Sequence, residues 1–206
     1  MAKFLRHRSI TTEIEEIFWK AKEFIVVVSP YLKVPDDLQS RFKTTAAKLE
    51  EVIVIYGKEE ELHEKTRAFL NELPKTDVLY CKNLHAKCYL NEQSAVITSL
   101  NLYDFSINNN IEMGILISKA QDPEIYEDIE NEVRHIVEQS QEPAWRKQKS
   151  IVRRFFNRMK KPEAQAFCIR CKATIDKNTE KPFCKDCLEK SILRPNLNDK
   201  AQHAEA

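Results

Sequence analysis

Two short apolar runs constrain the fold more than any other feature of this 206-residue sequence. Residues 24–29 and 52–56 are continuous and rich in β-branched side chains, which is typical of strands buried on both faces. Segments with apolar residues at helical spacing lie around them, at residues 9–21, 36–49 and 59–73. Helix and strand therefore alternate, and this pattern predicts an α/β fold.

Residues 77–140 favour several short strands and one closing helix. The strand-like segments span residues 78–81, 85–90, 95–98 and 111–117, and residues 91–94 form a predicted hairpin turn. The segment 122–140 then places apolar residues on one helical stripe. Because the connections between the strands are short, we expect a mixed β-sheet flanked by helices over residues 1–140.

Charge divides the chain into an acidic part and a basic part. Residues 1–140 contain 17 Lys and Arg against 24 Asp and Glu, whereas residues 141–206 contain 16 against 8, so the net charges are −7 and +8. We expect a basic connector at residues 141–163, a small module at 164–193 and a disordered tail at 194–206. A basic surface attracts a polyanion such as nucleic acid, although many basic helix faces are only solvated. The candidate nucleic-acid-binding residues are Arg146, Lys147, Lys149, Arg153, Arg154, Arg158, Lys160 and Lys161.

The segment 85–101 carries the candidate catalytic groups. On a strand, His85 and Lys87 would point to the same side, and Ser99 and Asn101 have the same spacing at the end of the next predicted strand. A hairpin through residues 91–94 would bring both pairs together. Such a group suits attack on a phosphodiester, with imidazole as nucleophile and the other three holding the phosphate oxygens. Glu112 can accept a hydrogen bond from the second ring nitrogen of His85.

These residues resemble the phospholipase D superfamily. Its signature is His-x-Lys, four residues, Asp, and then Gly-Ser-x-Asn on the next strand, which His85, Lys87, Ser99 and Asn101 match. The sequence departs from this signature in three ways. Glu92 stands where the family has Asp, and Thr98 stands in the glycine position. The interval between His85 and Asn101 is one residue shorter than in the commonest form. Glu92 is therefore interpreted as a turn residue. Family enzymes use two such histidines, and the chain has one such motif, so the resemblance implies a homodimer with a phosphohistidine intermediate.

Two Cys-x-x-Cys pairs predict a structural zinc site. Cys168 and Cys171 are separated by twelve residues from Cys184 and Cys187, a spacing that lets four thiolates surround Zn²⁺. Disulfides or redox-active pairs are the alternatives. The N-terminal residues lack an apolar run of signal-peptide length, and the longest apolar run is far too short to cross a membrane. We therefore expect a cytoplasmic protein with reduced cysteines, which favours the metal.

The sequence thus predicts a phospholipase D-like mixed sheet with helices and a small C-terminal zinc module. The function that fits best is a metal-independent phosphodiesterase, a homodimeric nuclease acting on DNA or RNA. A phospholipid hydrolase or phosphatidyltransferase is the first alternative, because the resemblance allows it equally. A catalytically inactive adaptor for nucleic acid or protein is the second, and it is motivated by Thr98 and the shortened interval.

Overall fold

The computed structural model describes residues 1–34, 36–60, 62–103, 110–146, 166–168, 170–171, 173–175 and 183–192. The chain forms two compact units, Met1–Lys160 and Lys161–Ala206. The first unit extends past the predicted boundary at residue 140. Most of the predicted connector and the whole predicted tail lie outside the described residues.

A seven-stranded mixed sheet forms the centre of the first unit, in the order β1-β9-β7-β6-β2-β4-β5. Strands β2, β4 and β5 are parallel, and the remaining neighbours in the sheet pair antiparallel. Two further strands, β3 and β8, form a short parallel pair of their own. The strands are β1 Lys3–Arg6, β2 Phe24–Val28, β3 Leu32–Lys33, β4 Glu51–Tyr56, β5 Thr76–Tyr80, β6 Cys88–Asn91, β7 Ser94–Thr98, β8 Leu102–Tyr103 and β9 Met113–Ser118. The predicted mixed sheet is confirmed.

Helices cover both faces of this sheet. They are α1 His7–Lys20, α2 Asp36–Lys48, α3 Glu64–Glu72 and α4 Pro123–Glu138. One apolar cluster packs α1, α2 and α3 against Ile25 and Val27 of β2, and a second packs α4 against Val26 and Val28 of the same strand. The run that the sequence marks as buried on both faces is therefore the middle of the core.

The hairpin between β6 and β7 is fixed to the end of α1. The side chain of Asn91 donates to the carbonyl oxygen of Ile17 (2.7 Å) and accepts from the backbone N–H groups of Gln93 and Ser94. Glu92 lies in the turn and accepts from the backbone N–H groups of Lys22 (3.1 Å) and Glu23 (3.3 Å). These contacts set the register of the hairpin that carries the candidate site at its other end.

The observed elements differ from the predicted ones at their boundaries. The predicted strand at 85–90 begins only at Cys88, and the one at 111–117 begins at Met113. The helix predicted at 59–73 is confined to Glu64–Glu72, and the edge strand β1 was not predicted. In β1 only Leu5 is buried, so the sequence has no continuous apolar run there to mark it.

The second unit contains two short strands and a helix. Strands β10, Ala166–Phe167, and β11, Thr174–Ile175, pair antiparallel, and α5 spans Lys185–Ile192. In neither unit does a helix of the described residues have the length and apolar character needed to cross a membrane.

Candidate functional site

The predicted site residues lie at one end of the central sheet, which we call the upper end because the parallel strands β2, β4 and β5 finish there. His85 and Lys87 precede β6, Ser99 and Asn101 follow β7, and Glu112 precedes β9. The N–H of Thr98 donates to the carbonyl oxygen of Lys87 (3.2 Å), and that of Ser99 donates to Met113 (3.0 Å). Three neighbouring strands thus place the five residues at the same end of the sheet, as the hairpin argument expected.

Ser99 and Glu112 form the most direct contact within the site. The hydroxyl of Ser99 donates to one carboxylate oxygen of Glu112 and accepts from the backbone N–H of Met113 (3.1 Å). The side-chain amide of Asn110 donates to the other carboxylate oxygen (3.2 Å). The buried carboxylate of Glu112 is therefore held on both sides.

The predicted hydrogen bond between Glu112 and His85 is not formed in this structure. His85 is exposed, and its imidazole makes no hydrogen bond with a described residue. The ring is therefore accessible to a substrate, while Glu112 is engaged by Ser99 and Asn110.

Lys87 is half-buried beside these groups. Its ammonium donates to the carbonyl oxygen of His85 (2.9 Å). Burial lowers the pKa of Lys87, and the nearby negative charge of Glu112 opposes that shift. The ammonium of Lys87 thus lies against the backbone of His85 at the upper end.

Asn101 completes the predicted set. It is half-buried, and its inaccessible side-chain oxygen has no hydrogen-bond partner in the described part of the chain. An unpartnered polar atom of this kind is costly to bury.

Thr98 stands where the family signature has glycine, and its side chain forms hydrogen bonds with the neighbouring backbone. The hydroxyl donates to the carbonyl oxygen of Met113 (2.8 Å) and accepts from the N–H of Leu100 (3.1 Å). Gly114 lies opposite Thr98 in the register, and a Cβ built on this glycine would be 3.0 Å from the Cβ of Thr98. The missing side chain at residue 114 therefore leaves the room that Thr98 occupies.

The loop that carries Ser99 and Asn101 is fixed by residues that sequence reasoning missed. The buried hydroxyl of Tyr89 donates to the carbonyl oxygen of Leu100 (3.0 Å). The hydroxyl of Ser29 accepts from the N–H of Leu102 (3.0 Å) and donates to the carbonyl oxygen of Tyr31 (2.7 Å). No local pattern signals the support of this loop by Ser29, because its contact with Leu102 joins positions far apart in the chain.

Gly57 supports the segment that leads to His85. A Cβ on this residue would lie 2.8 Å from the Cβ of Leu84 and 3.0 Å from its carbonyl oxygen. Gly57 has no positive φ angle, so its contribution is the close approach of the two backbones rather than an unusual conformation. Leu84 is buried, and His85 follows it directly.

Arg146, a candidate nucleic-acid-binding residue, contacts other residues of the first unit. Its guanidinium donates to the carbonyl oxygens of Leu70 and Thr76 and to the side chain of Asn71. The indole of the preceding Trp145 donates to the hydroxyl of Tyr56 (3.0 Å). Arg146 thus has a structural role, and the other seven basic candidates lie outside the described residues.

The four predicted metal ligands converge in the second unit. The sulfur atoms of Cys168, Cys171, Cys184 and Cys187 all lie within 4.8 Å of one another, and none forms a disulfide. The sulfurs of Cys171 and Cys184 are 3.5 Å apart, close to the separation of about 3.8 Å in a tetrahedron with metal–sulfur bonds of about 2.3 Å. Backbone N–H donors, led by that of Cys184, lower the pKa of Cys168 to about 6, which favours the thiolate that binds metals. This donor set fits one metal ion and leaves no open position for a substrate.

Comparisons with known proteins agree with the geometry. The family described as "Cardiolipin synthase, PLD-like domain" matches residues 14–137. Among solved structures, NucT from Helicobacter pylori (TM-score 0.59, 17% identity) aligns over 69% of this chain and 99% of its own. The phospholipase D family member Nuc from Salmonella typhimurium (TM-score 0.58, 12% identity) aligns over 69% of this chain and 97% of its own. Phosphatidylserine synthase from Haemophilus influenzae Rd KW20 (TM-score 0.56, 19% identity) aligns over 69% of this chain and 39% of its own. No curated protein sequence matches the chain. The family match spans more than half of the chain, and we conclude that the chain belongs to the phospholipase D-like family of the phosphodiesterase superfamily.

Proposed function

We propose that this protein is a nuclease, a phosphodiesterase that cleaves DNA or RNA through a covalent intermediate on His85. The observation that carries the proposal is that His85, which is exposed, lies with Lys87, Ser99 and Asn101 at the upper end of the sheet. These groups supply a nucleophile and neutral or cationic hydrogen-bond donors, which is what transfer of a phosphoryl group requires.

The chemistry proceeds in two steps. In the first, a ring nitrogen of His85 attacks phosphorus, a P–N bond forms, and the P–O bond to the leaving oxygen breaks. Lys87, Ser99 and Asn101 hold the non-bridging oxygens as negative charge shifts onto them. A second imidazolium protonates the leaving oxygen and then takes a proton from water, which attacks phosphorus and breaks the P–N bond. Ser99 has a single hydroxyl proton, which it donates to Glu112 before substrate binds and to the phosphate oxygen during the reaction, while Asn110 keeps its hydrogen bond to Glu112.

The second imidazole requires a second copy of the chain, because the complete signature occurs once in the sequence. His63 and Lys65 also have the His-x-Lys spacing, but they lie at the start of α3 and no Ser-x-Asn pair follows them at the signature interval. Under this proposal His85 of each subunit meets its counterpart across a two-fold axis, and one acts as nucleophile while the other acts as acid and base. The half-site in one chain is incomplete without its partner.

An exposed apolar surface next to the site supports this dimer. We call it the sheet patch, and it consists of Phe4, Ile97, Met113 and Ile115, which are 63%, 45%, 60% and 45% exposed. Register pairs Phe4 with Ile115 and Ile115 with Ile97, so the patch is continuous across β1, β9 and β7. It extends the face that α4 covers and ends beside Ser99 and Glu112. Exposed apolar surface of this kind is typical of an interface, and we assign it to a second copy of the chain.

The basic connector at residues 141–163, together with the second unit, supplies affinity for nucleic acid in this proposal. The cysteine cluster holds a structural zinc ion, which stabilises a unit too small to fold on apolar burial alone. Lys147, Lys149, Arg153, Arg154, Arg158, Lys160 and Lys161 neutralise backbone phosphates, supported by the net charge of +8 over residues 141–206.

The test compares His85→Ala with the matched control His63→Ala, since His63 is also exposed but lies at the start of α3. Labelled DNA, labelled RNA and phospholipid vesicles are the substrates, without added divalent metal. We expect His85→Ala to lower the rate of nucleic-acid cleavage at least about a thousandfold and His63→Ala to leave it unchanged. Intact-mass measurement after alkaline quenching should show a phosphoryl adduct on the wild type that His85→Ala lacks.

A phospholipid-processing enzyme is the second candidate, because the matching family is described by cardiolipin synthase and phosphatidylserine synthase shares the fold. Hydrolysis or transfer on phospholipid, with DNA and RNA left intact, would establish that candidate and overturn the nuclease. Absence of turnover on all three substrates would favour a non-enzymatic adaptor.

Mixing subunits tests the composite site directly. When wild type and His85→Ala are allowed to exchange in equal amounts, a site that needs both histidines leaves about a quarter of the wild-type activity per dimer. Independent sites would leave about half.

A further inference from the structure

Two lysines at the upper end of the sheet lie outside the proposed catalytic set. Lys58 follows β4, and Lys82 follows β5. Lys82 is exposed and Lys58 is half-buried. In open α/β sheets, ligands bind beyond the carboxyl ends of the parallel strands, which is where both lysines are placed.

Backbone contacts fix these lysines relative to His85. The N–H groups of Gly57 and Lys58 both donate to the carbonyl oxygen of Pro30 (3.1 Å each), and the N–H of Cys81 donates to Tyr56 (2.9 Å). Gly57 packs against Leu84, and Lys58 and His85 are the next residues along the chain from that contact. The Cα atoms of Lys58 and His85 are therefore at most about 13 Å apart, from two steps of about 3.8 Å and the contact between them.

The two lysines also differ from five other lysines of the first unit in their partners. Lys3, Lys20, Lys43, Lys65 and Lys119 each form an ion pair with a carboxylate. Lys58 and Lys82 form no ion pair with a described residue, even though Glu59 and Glu60 follow Lys58 in sequence. Their charges are thus available to an anionic ligand.

We propose that Lys58 and Lys82 bind phosphates to one side of the scissile one, toward β4 and β5, so that the site selects a chain of phosphodiesters over an isolated one. This inference rests on the proposed function of His85 and names its substrate class. A single phosphodiester bound at His85 has no further charge to offer Lys58 or Lys82. A polynucleotide carries a negative charge on the phosphate of every nucleotide, and each neutralised phosphate releases bound counterions.

The experiment uses two substrates on the full-length protein, a single-stranded oligonucleotide and bis(p-nitrophenyl) phosphate. The variant is Lys58→Gln with Lys82→Gln. The matched control is Lys22→Gln with Lys48→Gln, two exposed lysines just before β2 and β4, at the opposite end of the sheet. Both double variants remove two positive charges, so general electrostatic attraction is equal.

For Lys58→Gln with Lys82→Gln, we expect KM for the oligonucleotide to rise at least about tenfold, and the slope of log affinity against log salt to fall by about 1.4. Turnover of bis(p-nitrophenyl) phosphate should change less than twofold. Lys22→Gln with Lys48→Gln should leave KM for the oligonucleotide and turnover of bis(p-nitrophenyl) phosphate unchanged. An equal loss on both substrates, or an unchanged KM for the oligonucleotide, overturns the inference.

Binding separates this inference from the proposed chemistry. Fluorescence anisotropy with the same oligonucleotide in a His85→Ala background measures the two lysines even if no phosphodiester is cleaved. If wild type hydrolyses neither substrate, the proposed function fails, whereas the lysine assignment stands or falls on whether the double variant weakens binding more than the control pair.

Discussion

Substitution of Ile97 by glutamate tests the assignment of the sheet patch as a dimer interface. Full burial of an isoleucine side chain contributes about 2 kcal/mol, and Ile97 is 45% exposed in the single chain, so burial of the rest contributes about 1 kcal/mol per subunit. A two-fold interface contains Ile97 twice, which gives about 2 kcal/mol per dimer. Ile97→Glu should therefore raise the dimer dissociation constant at least about thirtyfold, and the cost of desolvating two carboxylates increases that factor.

The assay is sedimentation equilibrium over a range of protein concentrations, with Ile125→Glu as the control. Ile125 is 48% exposed and lies on α4 outside the sheet patch, so the same charge is added at nearly the same exposure. Cleavage activity should fall with Ile97→Glu at enzyme concentrations below the new dissociation constant and recover above it. If both variants dimerise equally, or the wild type is a monomer, the patch has another role and the composite site is refuted.

Three further predictions concern stability and the metal. Burial alone would raise the pKa of Glu92, but the hydrogen bonds it accepts in the hairpin outweigh this effect and hold its pKa below 4.5. The stabilisation by Glu92 is therefore present above the pKa of the unfolded state and is lost as pH falls through the pKa of the folded state. Urea unfolding of Glu92→Gln should thus show a deficit at pH 7 that narrows near pH 4, and a constant deficit would contradict this. Gly57→Ala should lower the free energy of unfolding by about 1–3 kcal/mol and reduce activity, because the new methyl group displaces Leu84 beside His85. A variant with wild-type stability and activity would contradict this prediction. Native mass spectrometry should find one zinc ion per chain, lost in Cys184→Ser, and retention of the metal would refute the four-cysteine site.

The central sheet was predictable because burial on both faces leaves a direct mark on the sequence. The runs at 24–29 and 52–56 have continuous β-branched side chains, and β2 and β4 lie there. Strand β1 leaves no such mark, since a single buried residue, Leu5, cannot establish a period. Its place at the sheet edge depends on pairing with β9, more than 100 residues away.

The sequence predicted where the candidate residues lie in the fold and did not predict their contacts. Spacing in the sequence places His85, Lys87, Ser99 and Asn101 at one end of a hairpin, and the structure has them there. The partner of Glu112 was not predictable, because it depends on how the segment before β9 approaches Ser99. The support from Ser29 was not predictable either, because it joins distant positions.

The contact between Thr98 and Gly114 makes these two positions energetically coupled. A Cβ at residue 114 would lie 3.0 Å from both the Cβ of Thr98 and the carbonyl oxygen of Ile97, so Gly114→Ala should be harmful, and Thr98→Gly in the same chain should recover only the part of the loss that the Thr98 contact causes. Neighbouring strands therefore compete for the same space beside the candidate site. A search for this family that demands glycine directly before the serine would reject this chain, whereas one that weighs both positions together would retain it.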